Sequence, residues 1–383
     1  MKFVIAPDKF KGSLTGFEFC NAVEDGLRMV FPDAKILKMP LADGGDGTIE
    51  VVKHYLKGKK ITIKVNGPLF RPVNASYVYS PESNIAYIEM AEASGLKLLK
   101  DTERNCMESS TFGTGELIED ALEKGATEII LGIGGSATND GGMGMANALG
   151  YLFFDENGKE LKPIGGNLMA VRKVDASKIH PKLGEVKFKV ACDVSNPFHG
   201  SNGAAKIYAE QKGASPEEIE LLDEGLRNYA KIINGQFGID LQKIAGSGAA
   251  GGIGGGAVVF LKGQLASGID LIKEMADFDN AIQEVDWIIT GEGQLDAQTL
   301  SGKTISGVVN SAVKKHIPVA ALCGSTSITI EQQKEFGLTY VVSIVRGIST
   351  LKEAMENSYA NLVNASYNFA RILKFGTEVG RQP

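Results

Sequence analysis

Asp8, Lys9, Lys11 and Ser13 share one loop, Pro7-Asp8-Lys9-Phe10-Lys11-Gly12-Ser13, directly after the apolar run Lys2 to Ala6. A second loop, Asp43-Gly44-Gly45-Asp46-Gly47, sets two carboxylates three residues apart in a backbone that glycine permits. A third, Gly132-Ile133-Gly134-Gly135-Ser136-Ala137, runs on into Thr138, Asn139 and Asp140. Asp193 closes another apolar run with Asn196 just beyond it, and Gly291-Glu292-Gly293 is followed by Asp296, Gln298 and Lys303. Phosphoryl transfer needs N–H groups and cations around phosphates, carboxylates for magnesium, and a base beside the acceptor hydroxyl. Each of those parts has a candidate here.

Taken singly, the loops also have plainer readings. Lys9 and Lys11 can form a solvated basic turn, Asp43 and Asp46 a tight turn with water-facing acids, and Asp193 a cap at a strand-to-turn junction. Glu292, held between two glycines, is the hardest to explain by packing. The third loop fits GxGxxA after a strand, with Asp155 at roughly the distance of a ribose-binding acid, so a nicotinamide-dependent hydroxy-acid dehydrogenase is an alternative. Thr138, Asn139 and Asp140 at the mouth of the next helix fit phosphate with magnesium better. No G-x-x-x-x-G-K-[ST] occurs, which excludes P-loop chemistry. The four histidines show no metal-ligand spacing and read as ordinary surface or core residues, with a substrate contact the alternative for His199 beside the Asp193 loop.

The elements that must position these loops read as strand, loop, helix in repetition. Lys2 to Ala6 is a buried-type strand, and Thr15 with Glu18 stands at capping-box spacing before a helix that begins near Gly16. Ala34 to Met39 repeats the pattern, with a helix through about Tyr55, which predicts βαβ winding. From Ile61 the character changes to β-rich runs, Ile61 to Val65, Ala75 to Tyr79 and Ile85 to Met90. Glu128 to Ile133 and Lys187 to Val194 are further strands; Ser109 to Lys124 and Pro216 to Phe237 are helices. Asp286 to Thr290, Pro318 to Leu322 and Tyr340 to Val345 return to the opening architecture. The expected fold is α/β, with a parallel-sheet domain from residues 1–66 and 287–383 and a second α/β domain inserted over 67–286.

With 383 residues, 43% hydrophobic and 22% charged, the composition is that of a globular protein, and a net charge of −6 offers no basic surface for nucleic acid. No apolar run reaches the ~18 residues of a membrane span, and the first one is too short for a signal peptide. Cys20, Cys106, Cys192 and Cys323 are far apart with no CxxC, as expected of free thiols in a reducing compartment. A cytoplasmic protein, monomer or homodimer, without nucleic-acid or membrane partners is expected. Glycine is abundant, 47 residues, and concentrates in the strand-end loops and in Gly246 to Gly256.

Together these segments resemble the bacterial glycerate kinase family of the first type, which has no P-loop or protein-kinase signature. The resemblance is carried by Ala6 to Leu14, Ala42 to Thr48, Gly132 through Gly142, Ala191 to Val194 with Asn196-Pro197, Gln211-Lys212-Gly213-Ala214, Gly248 to Gly252, and Thr290 to Gly293 with Asp296, Gln298 and Lys303. It departs at Lys9, where many relatives have serine, and at Asp46, where many have glutamate. The resemblance implies a Rossmann-like domain made from both chain ends, an inserted α/β domain and an active site in the cleft. It further implies ATP and glycerate as substrates, Mg2+ as the metal and 2-phosphoglycerate as product, with 3-phosphoglycerate the alternative. A non-catalytic two-domain binding protein is the rival of another class.

On this reading Lys9, Lys11 and Ser13 hold the glycerate carboxylate, and Asp43 and Asp46 orient its hydroxyls with Asp8, Gly44, Gly45 and Asn196 around it. Asp193 is the expected base, with Asp296 second and Lys9 beside the chemistry. Gly134, Gly135, Ser136, Ala137, Thr138 and Asp140, with Gly251, Gly252, Gly291, Gly293, Gln298 and Lys303, surround the nucleotide. Asp193 and Glu292 are the expected magnesium ligands.

Overall fold

Phe3-Val4-Ile5 and Val319 to Cys323 are unbroken apolar runs, and both are inner strands of a parallel sheet covered on its two faces. The computed structural model describes residues 1–43, 48–296 and 304–379. The order across this five-stranded sheet is Tyr340–Ser343, Val319–Cys323, Trp287–Thr290, Lys2–Ile5, Lys35–Lys38. The last strand, Lys-Ile-Leu-Lys, is an edge whose lysines face water. Numbered along the chain the order is 2-1-3-4-5, so the winding reverses between Lys2–Ile5 and Trp287–Thr290. Open sheets of this kind bind ligands outside the carboxyl ends of the strands at that switch point.

The helix Gly16–Arg28 starts at a complete capping box: Thr15 Oγ1 accepts from Glu18 N–H at 3.1 Å, and Thr15 N–H donates to the Glu18 carboxylate at 2.8 Å. Met1–Val51 and Ile269–Pro383 form one compact unit, and Val52–Gly268 forms another. The division thus falls within the helix Thr48–Leu56, and the strand Lys59–Asn66 goes with the second unit because its pairing partner, Pro72–Ser80, is there. Change of composition near residue 66 marks that strand's turn; pairing decides where it belongs.

The second unit carries a six-stranded sheet, in order Gln264–Ala266, Lys187–Ala191, Glu128–Gly132, Ile85–Glu89, Pro72–Ser80, Lys59–Asn66. The first four strands are parallel and the last two complete an antiparallel meander. Helices Phe112–Glu123 and Pro216–Phe237 bury their apolar faces in its core. All four cysteines are free thiols; burial pushes Cys20 and Cys323 up to about 12 and Cys106 up to about 11. Among the described residues no helix is long and apolar enough to cross a membrane.

The run Ile253–Phe260 is a buried helix that includes Gly254, Gly255 and Gly256. Each glycine inside a helix costs about 1 kcal/mol relative to alanine, so tertiary contact must decide the composition. A Cβ on Gly256 would stand 2.5 Å from the carbonyl oxygen of Gly141. The two glycine-rich segments therefore meet backbone to backbone, which accounts for much of the glycine by packing.

Candidate active site

In the first unit, the loop after Lys2–Ile5 and the loop after Trp287–Thr290 are laced together at the switch point. Ala6 N–H donates to Ile289 O at 2.8 Å, Asp8 N–H to Gly291 O at 2.9 Å, and Thr290 Oγ1 to Ala6 O at 2.8 Å. This places Asp8 beyond the carboxyl end of Lys2–Ile5, at the switch point. Its Oδ2 accepts from Thr304 Oγ1 at 2.7 Å and its Oδ1 from Lys9 N–H at 2.7 Å. Burial pushes the Asp8 carboxyl above the ordinary carboxylate range and the nearby Asp43 charge adds to it, while Thr304, the Lys9 N–H and the Lys9 charge pull the other way. Asp43 lies in the loop after the neighbouring strand Lys35–Lys38, half-buried.

Ser13 stands differently from the expectation that it holds a substrate. Its hydroxyl donates to Met355 O at 2.9 Å and lies against Ser358 Oγ at 2.5 Å, which fastens the loop to the C-terminal helices. The N-terminus of Gly16–Arg28 is taken by its own capping box. Of the first loop, Lys9 is half-buried and Lys11 exposed. Glu292 and Asp296 are half-buried, and Gly291 is a close-packing residue, since a Cβ there would lie 2.0 Å from Leu322 O. Gly44, Gly45, Asp46, Gln298 and Lys303 lie outside the described residues.

In the second unit, the turn after Glu128–Gly132 leaves Gly134 and Gly135 exposed and buries Ser136, Ala137, Thr138, Asn139 and Asp140. Leu96 N–H donates to Gly135 O at 2.9 Å, Ala137 N–H to Ser94 O at 2.9 Å and Gly141 N–H to Gly251 O at 3.0 Å, so the turn is held from both sides. Gly251 has φ +76°, and a Cβ on it would stand 2.0 Å from Thr138 O; one on Gly252 would stand 2.9 Å from Gly141 Cα. Only the exposed Gly134–Gly135 end of this assembly is open to an anion.

Asp140 faces inward. Its carboxylate accepts from Thr111 N–H and Thr111 Oγ1, both at 2.8 Å, and from the N–H groups of Gly142 and Gly144, both at 3.1 Å. Burial pushes it up and these four donors pull it back. It anchors the turn and is 0% exposed, so its oxygens are not presented to a nucleotide or a metal. Asp140→Asn turns an amide donor toward these donors and is expected to cost at least about 3 kcal/mol of stability. Urea unfolding of the purified variant measures it.

Asp193 is exposed, and its Oδ1 accepts from Gly268 N–H at 2.9 Å. The Asn196 amide is committed to its own loop, donating to Asn202 O at 2.9 Å and accepting from Tyr208 OH at 2.7 Å. His199 is tied through its backbone to Gln242, at 3.2 and 2.9 Å. Asp155 caps a surface turn, accepting from Asn157 and Lys159 N–H at 2.9 Å each. The neighbours of Glu128–Gly132 in the sheet are Ile85–Glu89 and Lys187–Ala191. Asp155 therefore does not end the strand beside the glycine turn, as a dinucleotide-binding acid does, and the dehydrogenase alternative loses its geometry.

For magnesium the donor chemistry is the test. Among the described residues no three carboxylate, imidazole or thiolate side chains form a ready cage. Glu292 in the first unit and Asp193 in the second are each single carboxylates beyond a strand end, the donor type a hard cation takes when phosphates and water fill the rest of its sphere. The residues fit. Two contributors escaped sequence reasoning: Thr304, whose only local signal is its place at the start of a helix, and Lys212, which lies within the Gln211 to Ala214 segment but had no assigned role.

An α/β protein with polar strand-end loops at its switch point has the layout of a small-molecule enzyme, and its relatives make the class specific. The profile of the glycerate kinase family matches residues 3–374. A glycerate kinase of Halalkalibacterium halodurans is 44% identical over 96% of this chain and 97% of its own. A glycerate 2-kinase of Escherichia coli strain K12 is 43% identical over 98% and 99%. A crystal structure from Salmonella typhimurium LT2, described as that of a candidate glycerate kinase 2, superposes with a TM-score of 0.90 at 41% identity, covering 99% of each chain. The chain belongs to the glycerate kinase family.

Proposed function

We propose that this protein transfers the γ-phosphoryl group of ATP to glycerate, giving 2-phosphoglycerate and ADP, with Mg2+ accompanying the nucleotide. The observation that carries the mechanism is Asp8: a half-buried carboxylate at the switch point, oriented by Thr304 and beside a second carboxylate, Asp43. These are the surroundings of a base matched to a hydroxyl proton. The glycerate oxygen attacks the γ-phosphorus, the bond from that phosphorus to the β–γ bridging oxygen breaks, and the hydroxyl proton passes to Asp8. Asp43 and Asp46 orient the hydroxyls, and Lys9 and Lys11 face the substrate carboxylate, whose charge requires a cation.

The exposed Gly134–Gly135 turn offers N–H groups to phosphate oxygens. Asp193 and Glu292 are the residues that would hold Mg2+, which supplies charge neutralisation on the phosphate oxygens when bound. Asp193, placed first as base by sequence reasoning, is more open to water than Asp8, which favours the metal role. Asp296 keeps its place as second candidate for the base, and Gln298 and Lys303 are assigned to the nucleotide. The protein is placed in the cytoplasm as a monomer or homodimer on composition alone.

A coupled ADP-release assay with and without D-glycerate, followed by phosphorus NMR of the product, tests the reading. The expected result is glycerate-dependent ADP release and a 2-phosphoglycerate resonance. Release that does not respond to glycerate would end the kinase reading, and a 3-phosphoglycerate resonance would overturn the regiochemistry.

A further inference from the structure

Lys212 is 2% exposed, yet it is a lysine. Its Nζ donates to Ser136 Oγ at 2.8 Å and to Thr138 O at 2.7 Å, straddling Ala137 in the turn that follows Glu128–Gly132. Asp140 and Cys106 act on it through space. A buried ammonium whose direct partners are a hydroxyl and a carbonyl carries a large desolvation cost. Methionine would fill similar volume without it, so packing does not account for the residue.

The backbone aims this side chain. Gly213 closes the short 3-10 turn Glu210–Lys212 with φ +92°, and a Cβ on it would stand 2.2 Å from Arg104 O. The chain thus reverses hard against Arg104, whose Nη1 donates to Gln211 O at 3.4 Å. The glycine turn itself is under-satisfied on its inner side: Thr138 Oγ1 and both polar atoms of the Asn139 side chain are buried without a hydrogen-bond partner. Buried polar groups are nearly always paired, so this turn is held in a shape its own hydrogen bonds do not explain.

We infer that Lys212 is a positioning residue for phosphate binding: from inside the fold it clamps Ser136 and Thr138, keeps the Gly134–Gly135 end presented outward, and lends the turn a positive charge without touching the ligand. The inference rests on the reading of this turn as a phosphate site. It deepens that reading by naming a cation behind the N–H groups.

The test is steady-state kinetics of the full-length enzyme, varying ATP and glycerate separately, with melting curves. Lys212→Met is expected to raise KM for ATP by about tenfold or more while KM for glycerate and kcat stay within about threefold. The melting midpoint should hold or rise, since an uncompensated buried charge is removed. A pH profile gives a second readout. Burial draws the Lys212 ammonium down to about 8, so ATP affinity of the wild type should weaken as pH rises through that value and the limb should be absent in the Met variant. Of the groups that act on it, the Cys106 thiol is pushed up to about 11 by burial and the Asp140 carboxyl is raised by burial as well, while Arg104 lies against the Gln211 carbonyl next to it.

Gly134→Val blocks the open side of the turn independently of the lysine. If it leaves KM for ATP unchanged, the phosphate reading of the turn fails. If it raises KM for ATP and Lys212→Met does not, the lysine inference alone is overturned. A Lys212→Met enzyme that loses melting temperature and both substrates together marks a structural residue and overturns it too. Should that variant not fold, Ser136→Ala removes one of the two anchors, and an unchanged KM for ATP there overturns the inference as well.

Discussion

Asp8→Asn is expected to lower kcat by about 10²- to 10⁴-fold, the range a positioned general base contributes, with KM for ATP little changed. With its amide oxygen on the Lys9 N–H, which bonds Asp8 Oδ1 at 2.7 Å, the asparagine can donate through its amide nitrogen to Thr304 Oγ1, a hydroxyl that also accepts, so the loop should stay in place. Stability should move the opposite way from activity. The Asp8 carboxyl titrates above its ordinary value because of burial and the Asp43 charge, so the folded state holds its proton more tightly than the unfolded chain does. Its contribution to stability is present at low pH and is lost as pH rises through the raised value. At neutral pH the ionised group is therefore a cost, and the asparagine variant should melt no lower than the wild type. In the wild type, kcat should fall on the acid side as Asp8 gains its proton, and that limb should be missing in the variant. A variant that turns over within about tenfold of the wild type removes Asp8 from the chemistry and returns the role of base to Asp193.

Gly251→Ala should be among the most damaging single-methyl additions in the chain. The added Cβ would fall 2.0 Å from Thr138 O, at a φ of +76° that L residues rarely take. Its neighbours leave little slack, because Ala250 and Gly252 are also left-handed, at +52° and +91°. Overpacking and backbone strain together are expected to cost about 2–5 kcal/mol. Because the atom struck belongs to the glycine turn, KM for ATP should rise in whatever fraction folds. Gly235→Ala supplies the contrast: it lies in the helix Pro216–Phe237 with nothing within 4 Å of the new methyl, and should stabilise by about 0.5–1 kcal/mol. Urea midpoints of the two variants moving in the same direction would refute the packing account of Gly251.

The candidate site divides into what neighbours along the chain could reveal and what they could not. Asp8, Asp43, Glu292 and Gly134 were legible because each follows a buried apolar run, and the carboxyl ends of parallel strands are where such sheets meet ligands. Thr15 with Glu18 was legible because a capping box lies within one turn. Asp140 was not, since it reads as one more acid in a polar loop. That it points inward depends on Thr111, reached only when Phe112–Glu123 packs beside the turn. Thr304, Asp8's orienting partner, lies 296 residues from it, and Lys212 lies 76 residues from Ser136.

By itself, then, the amino-acid order determined the alternation of strand, loop and helix, the α/β class, the family and the set of loops that carry chemistry, because periodicity, caps and strand-end composition are short-range properties of the chain. Only the tertiary structure decided which of those loop residues look outward: Gly134 and Gly135 rather than Asp140, Asp8 with an orienting hydroxyl, Gly251 and Gly256 as close contacts between backbones. The physical reason is that a side chain's exposure and protonation follow from what is packed against it, and those partners come from elements tens to hundreds of residues away that no local pattern encodes.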